Sequence, residues 1–156
     1  MGIEIERKFL VSGDGWRPQA TQQTRFSQGY LSRDPARTVR IRVAGERAFL
    51  TIKGATTGAT RAEFEYEVPV ADAQQLLAMC DGPVVEKIRH LCPFDGMTWE
   101  VDEFLGANAG LVVAEIELDT EGQVFARPAW LGAEVTGDAR YVNANLAVRP
   151  FTSWAG

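Results

Sequence analysis

Ile3-Glu4-Ile5-Glu6-Arg7-Lys8-Phe9-Leu10-Val11 alternates with a period of two. Successive side chains of a β-strand point to opposite faces, so Glu4, Glu6 and Lys8 share one face while Ile3, Ile5, Phe9 and Val11 form the other. The same sorting recurs outward along the chain. Arg40 and Arg42 oppose Val39, Ile41 and Val43; Lys53 opposes Leu50 and Ile52; Glu63 and Glu65 oppose Phe64 and Tyr66. Lys87 and Arg89 oppose Ile88, Glu100 and Asp102 oppose Trp99 and Val101, and Glu115 and Glu117 oppose Ala114, Ile116 and Leu118.

Extending the alternation to its turn signals predicts eight strands, at about residues 3–11, 26–32, 37–45, 47–54, 62–70, 84–91, 97–104 and 111–119. Short joins such as Asp34-Pro35, Ala44-Gly45-Glu46 and Pro93 to Gly96 favour antiparallel neighbours. Helices are expected at 72–80 with Asp72 as N-cap, at 120–126 between Thr120 and Pro128, and at 138–147. Trp130 and Leu131 are expected to form an apolar contact under the sheet or a dimer surface.

The 156 residues suit one domain. Eight strands in that length point to a mainly β (α+β) fold, an eight-stranded antiparallel barrel in which closure removes exposed sheet edges. A net charge of −5 supplies no general field for nucleic acid or anionic lipid. The absence of a long apolar run or basic leader reads as cytoplasmic, with no membrane partner. Cys80 and Cys92 lack metal spacing, and His90 is the one histidine, which argues against zinc chemistry and a Ser-His-Asp triad.

A solvent-facing sheet surface mixes Thr, Ser, Gln and Lys, whereas these faces gather bases on some strands and acids on others. The reading is therefore an inverted barrel, polar inside, with its apolar exterior covered by the three helices. Eight acids (Glu4, Glu6, Glu63, Glu65, Glu100, Asp102, Glu115, Glu117) and six bases (Lys8, Arg40, Arg42, Lys53, Lys87, Arg89) then converge. Buried ion pairs roughly break even against apolar replacements, so such a lining implies a ligand. Arginine forks and lysine point charges suit a chain of phosphates. Carboxylates would repel that chain unless divalent cations bridged them, and an oxygen-only donor set selects hard ions, Mg²⁺ or Mn²⁺.

Glu4-Ile5-Glu6-Arg7-Lys8 resembles the E-x-E-x-K signature of the CYTH superfamily, the triphosphate tunnel metalloenzymes. Arg40-Ile41-Arg42, Thr51-Ile52-Lys53, Glu63-Phe64-Glu65, Glu86-Lys87-Ile88-Arg89, Glu100-Val101-Asp102 and Glu115-Ile116-Glu117 resemble its paired strand motifs in the family's order. The likeness runs through Val135 to Tyr141. It implies a tunnel for a small-molecule triphosphate, and the Glu-Ile-Glu-Arg-Lys-Phe-Leu start with Gln28-Gly29-Tyr30-Leu31 looks most like the short bacterial tripolyphosphatases. Class IV adenylate cyclase and thiamine triphosphatase are the enzymatic alternatives, and a non-catalytic polyphosphate or nucleotide binder is the third; a homodimer is left open.

In that reading one metal sits on Glu4, Glu6 and Glu117 and a second partly on Asp102 and Glu115, where it would orient a water. Lys8, Arg40, Arg42, Lys53, Arg61, Lys87 and Arg89 would bind the phosphates. Glu4, Glu6, Lys8, Lys87 and Asp102 are the candidate catalytic residues, with Glu63, Glu65 and Glu100 supporting them. Related short enzymes carry a lysine near the C-terminal Arg-Tyr-x-Asn segment; here Val142 and Ala144 flank Asn143, and Arg140 is the candidate substitute.

Overall fold

The computed structural model describes residues 2–154. Eight antiparallel strands close into a barrel: β1 (Ile3–Val11), β2 (Gln22–Ser32), β3 (Arg37–Ala44), β4 (Arg47–Gly54), β5 (Thr60–Val68), β6 (Val85–Phe94), β7 (Met97–Phe104) and β8 (Val112–Glu117). Their order is β5-β4-β3-β2-β6-β7-β8-β1, and β1 returns to β5 through Ile3↔Ala62, Glu4↔Arg61 and Ile5↔Thr60. A ninth strand, β9 (Leu131–Glu134), pairs with the far half of β1 through Phe9↔Glu134 and Val11↔Leu131. One edge of β1 thus serves β8, and the other is divided between β5 and β9.

Local chemistry sets the hairpins. The β6–β7 turn places Asp95 at φ 50° and Gly96 at φ 77° between the paired Phe94 and Met97. Positive φ at both centres is the type I′ pattern of a two-residue hairpin, which Asp-Gly tolerates and which matches the right-handed strand twist.

Three expectations are corrected. Residues 120–126 form no helix: Gly122 lowers helix propensity, the Gln123 side chain accepts from the Asp119 N–H, and Phe125 packs edge-on against Phe9 and Trp99. The 138–147 stretch divides into a 3₁₀ turn (Ala139–Tyr141) and helix α2 (Asn143–Val148), because Val142 between them is extended. The first helix, α1 (Val70–Ala78), starts after Pro69, so Asp72 lies in its first turn, where a carboxylate suits the helix dipole, and is not its N-cap. Strand β9 escaped the pattern because it is four residues long and interrupted by Gly132. The polar start of β2, Gln22 to Arg25, is held extended by pairing with β6.

The barrel's outer face is covered in sectors. Helix α1 lays Ala73 over Ile41 and Ala48, and the 118–131 segment brings Leu118, Phe125 and Trp130 onto Phe9, Trp99 and Ile116. Trp130 is buried against Trp99, with ring centroids 5.9 Å apart, as the apolar-contact reading expected. Helix α2 differs: its Leu146 joins Tyr30, Val85, Phe104 and Val113, which share the inward faces of their strands. The interior is therefore apolar at the end where α2 sits and charged along the rest.

Packing between β2 and the end of α1 is tight at Gly29, where an added Cβ would stand 2.7 Å from Cys80 Sγ. Gly29→Ala is expected to cost about 1–3 kcal/mol through overpacking, partly recovered with Cys80→Ala, as read from urea midpoints. Midpoints unchanged by Gly29→Ala would contradict that packing.

Candidate functional site

Strand register brings the charged faces together. Glu6 lies opposite Glu117, Lys8 opposite Glu115 and Glu100 opposite Glu115; Arg89 faces Asp102 and Lys53 faces Glu63. Glu4, Glu6, Lys8, Arg40, Arg42, Lys53, Arg61, Glu63, Glu65, Lys87, Arg89, Glu100, Glu115 and Glu117 all line one cavity of about 800 Å³. A second cavity of about 540 Å³ reaches the β6–β7 turn at the opposite rim and shares Glu100 and Glu117 with the first. Charged side chains of the interior thus line cavities toward both rims.

Two expected residues lie elsewhere. The Asp102 carboxylate is 1% exposed behind the cavity wall, accepting from Lys87 Nζ at 2.7 Å, Arg89 Nε at 2.8 Å and an Arg89 terminal nitrogen at 2.9 Å. Burial opposes its ionisation, but Arg89 and Lys87 outweigh that and hold it below the usual carboxylate range. It is saturated by cations and placed to hold Lys87 and Arg89 in position. Arg140 is exposed, donates to Asp138 at 2.8 Å and lies over the Tyr141 and Trp154 rings, outside the cavity lining.

Most cavity charges are already paired. Lys53 reaches Glu4 at 3.2 Å and Glu63 at 3.3 Å; Arg61 reaches Glu4 at 3.3 Å; Arg40 reaches Glu65 at 3.5 Å; Lys8 reaches Glu115 at 3.8 Å. Arg89 holds Glu100 at 3.2 Å and Glu115 at 2.8 Å. The exceptions are informative. Among the described residues Arg42 makes no salt bridge, although it is 8% exposed, and Glu6 and Glu117 make none either.

One carboxylate oxygen each of Glu6, Glu100 and Glu115 lies within 4.8 Å of the other two. Burial first, then Glu115 and Glu4, push Glu6 well above the usual carboxylate range. Burial likewise raises Glu100. Burial also opposes the charge of Glu115, yet Lys8, Arg89 and Lys87 hold it well below the usual range. A clustered, oxygen-only set of three carboxylates, one of them pressed toward its protonated form by burial and neighbouring carboxylates, fits a hard divalent ion. Relative to the metal ligands expected with the family resemblance, Glu4, Glu6, Asp102, Glu115 and Glu117, the cluster brings in Glu100, while Glu4 is paired with Lys53 and Arg61.

On the basic side, burial followed by Arg40 and Arg89 pushes Arg42 down to about 9. Burial pushes Lys87 down to about 7 against the pull of Asp102. Arg40 Nε is buried with no hydrogen-bond partner among the described residues. These are cations that an added polyanion would stabilise.

A CYTH-domain family model matches residues 2–150. The chain belongs to the CYTH family. Among CYTH relatives it is 50% identical over 155 residues to an inorganic triphosphatase of Acetivibrio thermocellus, covering 99% of each chain. It is 37% identical over 152 residues to an inorganic triphosphatase of Nitrosomonas europaea, covering 93% of this chain and 97% of that one. The crystal structure of the inorganic triphosphatase NE1496 superposes on this CYTH barrel with a TM-score of 0.66 at 34% identity, covering 98% of this chain and 97% of that one.

Sequence reasoning missed the neutral members of the lining. Gln28, fully buried, and Asn143 make hydrogen bonds to Arg42 and Lys87. Gln28 shares its inward parity with Phe26 and Tyr30, a signal hidden because an uncharged side chain carries no mark of a site. Asn143 reaches the site only through the fold of the C-terminal segment, where Lys8 Nζ also donates to the Tyr141 carbonyl at 3.1 Å.

Proposed function

We propose that this CYTH chain hydrolyses inorganic tripolyphosphate to pyrophosphate and phosphate with Mg²⁺ or Mn²⁺. The observation that carries the reading is the pair of unmatched charges in one cavity. Arg42 is buried without a carboxylate while Glu6 is pressed to keep its proton, so neither a polyanion nor a cation alone completes the lining. The names of the two curated relatives support the same substrate class.

Glu6, Glu100 and Glu115 would hold the ion, with Glu117 alongside. When bound, the ion neutralises phosphate charge and polarises the oxygens it touches. Phosphoryl transfer otherwise asks mainly for positioning. Arg40 and Arg42 would grip the chain with planar forks while Lys8 and Lys53 offer point charges. Asp102 holds Lys87 and Arg89 at fixed positions, where their charge can stabilise the leaving pyrophosphate as water attacks the terminal phosphorus in line.

Product analysis tests the proposal. Tripolyphosphate, ATP and thiamine triphosphate are supplied separately with Mg²⁺ or Mn²⁺. The expected result is rapid phosphate plus pyrophosphate from tripolyphosphate and slow turnover of the others; cyclic AMP from ATP, or stoichiometric binding without turnover, would overturn it. A pH dependence follows from Glu6. Because its pKa is raised, protons compete with the metal, so the apparent metal affinity should rise with pH until Glu6 is ionised. Calorimetry in buffers of different ionisation enthalpy, repeated over a pH series, should show proton release on Mn²⁺ binding that fades as pH rises; no release at any pH would contradict the assignment.

A further inference from the structure

The inward face of β2 carries no charge where it meets the bases. Phe26 lies under three of them, with its ring centroid 4.4 Å from the Arg42 guanidinium, 5.0 Å from that of Arg89 and 6.0 Å from Lys87 Nζ. Gln28, two residues on, accepts from Arg42 Nε through Oε1 at 2.8 Å. Its Nε2 donates to the Tyr30 hydroxyl and to Asn143 Oδ1, each at 3.0 Å. Resting on the polyphosphate reading of the cavity, we propose that Gln28, locked by Asn143, is a positioning residue that aims the Arg42 guanidinium at the phosphate chain while leaving its charge uncancelled.

The lock follows from donor and acceptor counting. Asn143 Oδ1 accepts from Lys87 Nζ at 2.8 Å as well as from Gln28, so a flipped Asn143 amide would set N–H groups against a lysine. Asn143 therefore presents oxygen, Gln28 must answer with nitrogen, and only Oε1 is left for Arg42. Fixing Nε leaves the terminal nitrogens of Arg42, which have no protein hydrogen bond among the described residues, free for a bidentate contact. A carboxylate at position 28 would hold Arg42 equally well but cancel its charge; the amide holds it and leaves the charge for the ligand. Lys8, Arg40, Lys53, Arg61, Lys87 and Arg89 each pair with at least one acid, so among these bases and the described residues Arg42 is the one held by a neutral group alone.

The test is steady-state kinetics on tripolyphosphate for Gln28→Leu and Gln28→Glu, each in the wild-type and Arg42→Ala backgrounds. Gln28→Leu should raise KM about tenfold with kcat changed by less than about threefold, the size of one lost hydrogen bond to a charged group. Gln28→Glu keeps the shape and the Nε acceptor but sets an oxygen against Asn143 Oδ1 and the Tyr30 hydroxyl, so a loss of affinity from it marks charge cancellation only in the part that disappears with Arg42. In the Arg42→Ala background both changes should vanish. A wild-type KM in Gln28→Leu, or equal losses with and without Arg42, would sink the proposal. If Gln28→Leu fails to fold, the isosteric Gln28→Glu pair decides alone. Calorimetric titration of the wild type with tripolyphosphate in the presence of Mn²⁺ separates the two levels: no binding and no turnover would remove the polyphosphate reading and this proposal with it, whereas an active wild type with unaffected variants removes only the role of Gln28.

Discussion

Glu6→Gln is expected to abolish metal-dependent hydrolysis, by about three orders of magnitude in kcat/KM, while leaving a folded protein. Glu6 contributes to the three-carboxylate cluster and has no cation of its own among the described residues. The amide keeps the shape and one oxygen but removes the charge that an ion would meet. Stability should move the other way. The support that a carboxyl with a raised folded pKa gives to folding is full below its unfolded value, and the ion-free fold loses it as pH rises through the folded value. At neutral pH the metal-free Glu6→Gln protein should therefore melt at or above the wild-type temperature, and Mn²⁺ should raise the melting temperature of the wild type alone. Turnover at the wild-type rate, or a collapsed fold, would defeat the assignment.

Asp102→Ala should produce the largest loss of stability. Removing this carboxylate leaves Lys87, 1% exposed, with only the Asn143 carbonyl among the described residues, and takes two of Arg89's hydrogen bonds. Breaking a buried pair from one side costs about 3–5 kcal/mol. For a chain of this length that is a fall in melting temperature of about 10 °C. The sign with pH follows from its depressed pKa: the contribution of Asp102 is present above the ordinary carboxylate value and lost as pH falls through the folded value, so the gap between wild type and variant should narrow in acid. If Asp102→Ala kept the wild-type melting temperature and lost Mn²⁺ binding, Asp102 would be a metal ligand and not a positioning residue.

How far each residue was legible depends on the range of the interaction that places it. Parity within a strand is local: Glu4, Glu6 and Lys8 share a face whatever they pair with, and the recurrence of that sorting in later strands already implied a barrel with a charged interior. Turn chemistry is equally local, as Asp95-Gly96 shows. Strand β9 and the residues 120–126 were not legible, because their conformations answer to β1 and Trp99 and not to any propensity of their own.

Within the site, the amino-acid sequence by itself determined which charges face inward and, through them, the chemical class of the ligand. Only the tertiary structure decided which of those charges cancel. Register across β7, β8 and β1 gathers Glu6, Glu100 and Glu115, while Asp102 is withdrawn behind Lys87 and Arg89 and Glu4 is tied to Lys53. The physical reason is that Coulomb energy in a low-dielectric interior depends on separations of a few ångströms between residues up to about a hundred positions apart. Parity reports a side chain's direction, and only the closed barrel supplies the distances.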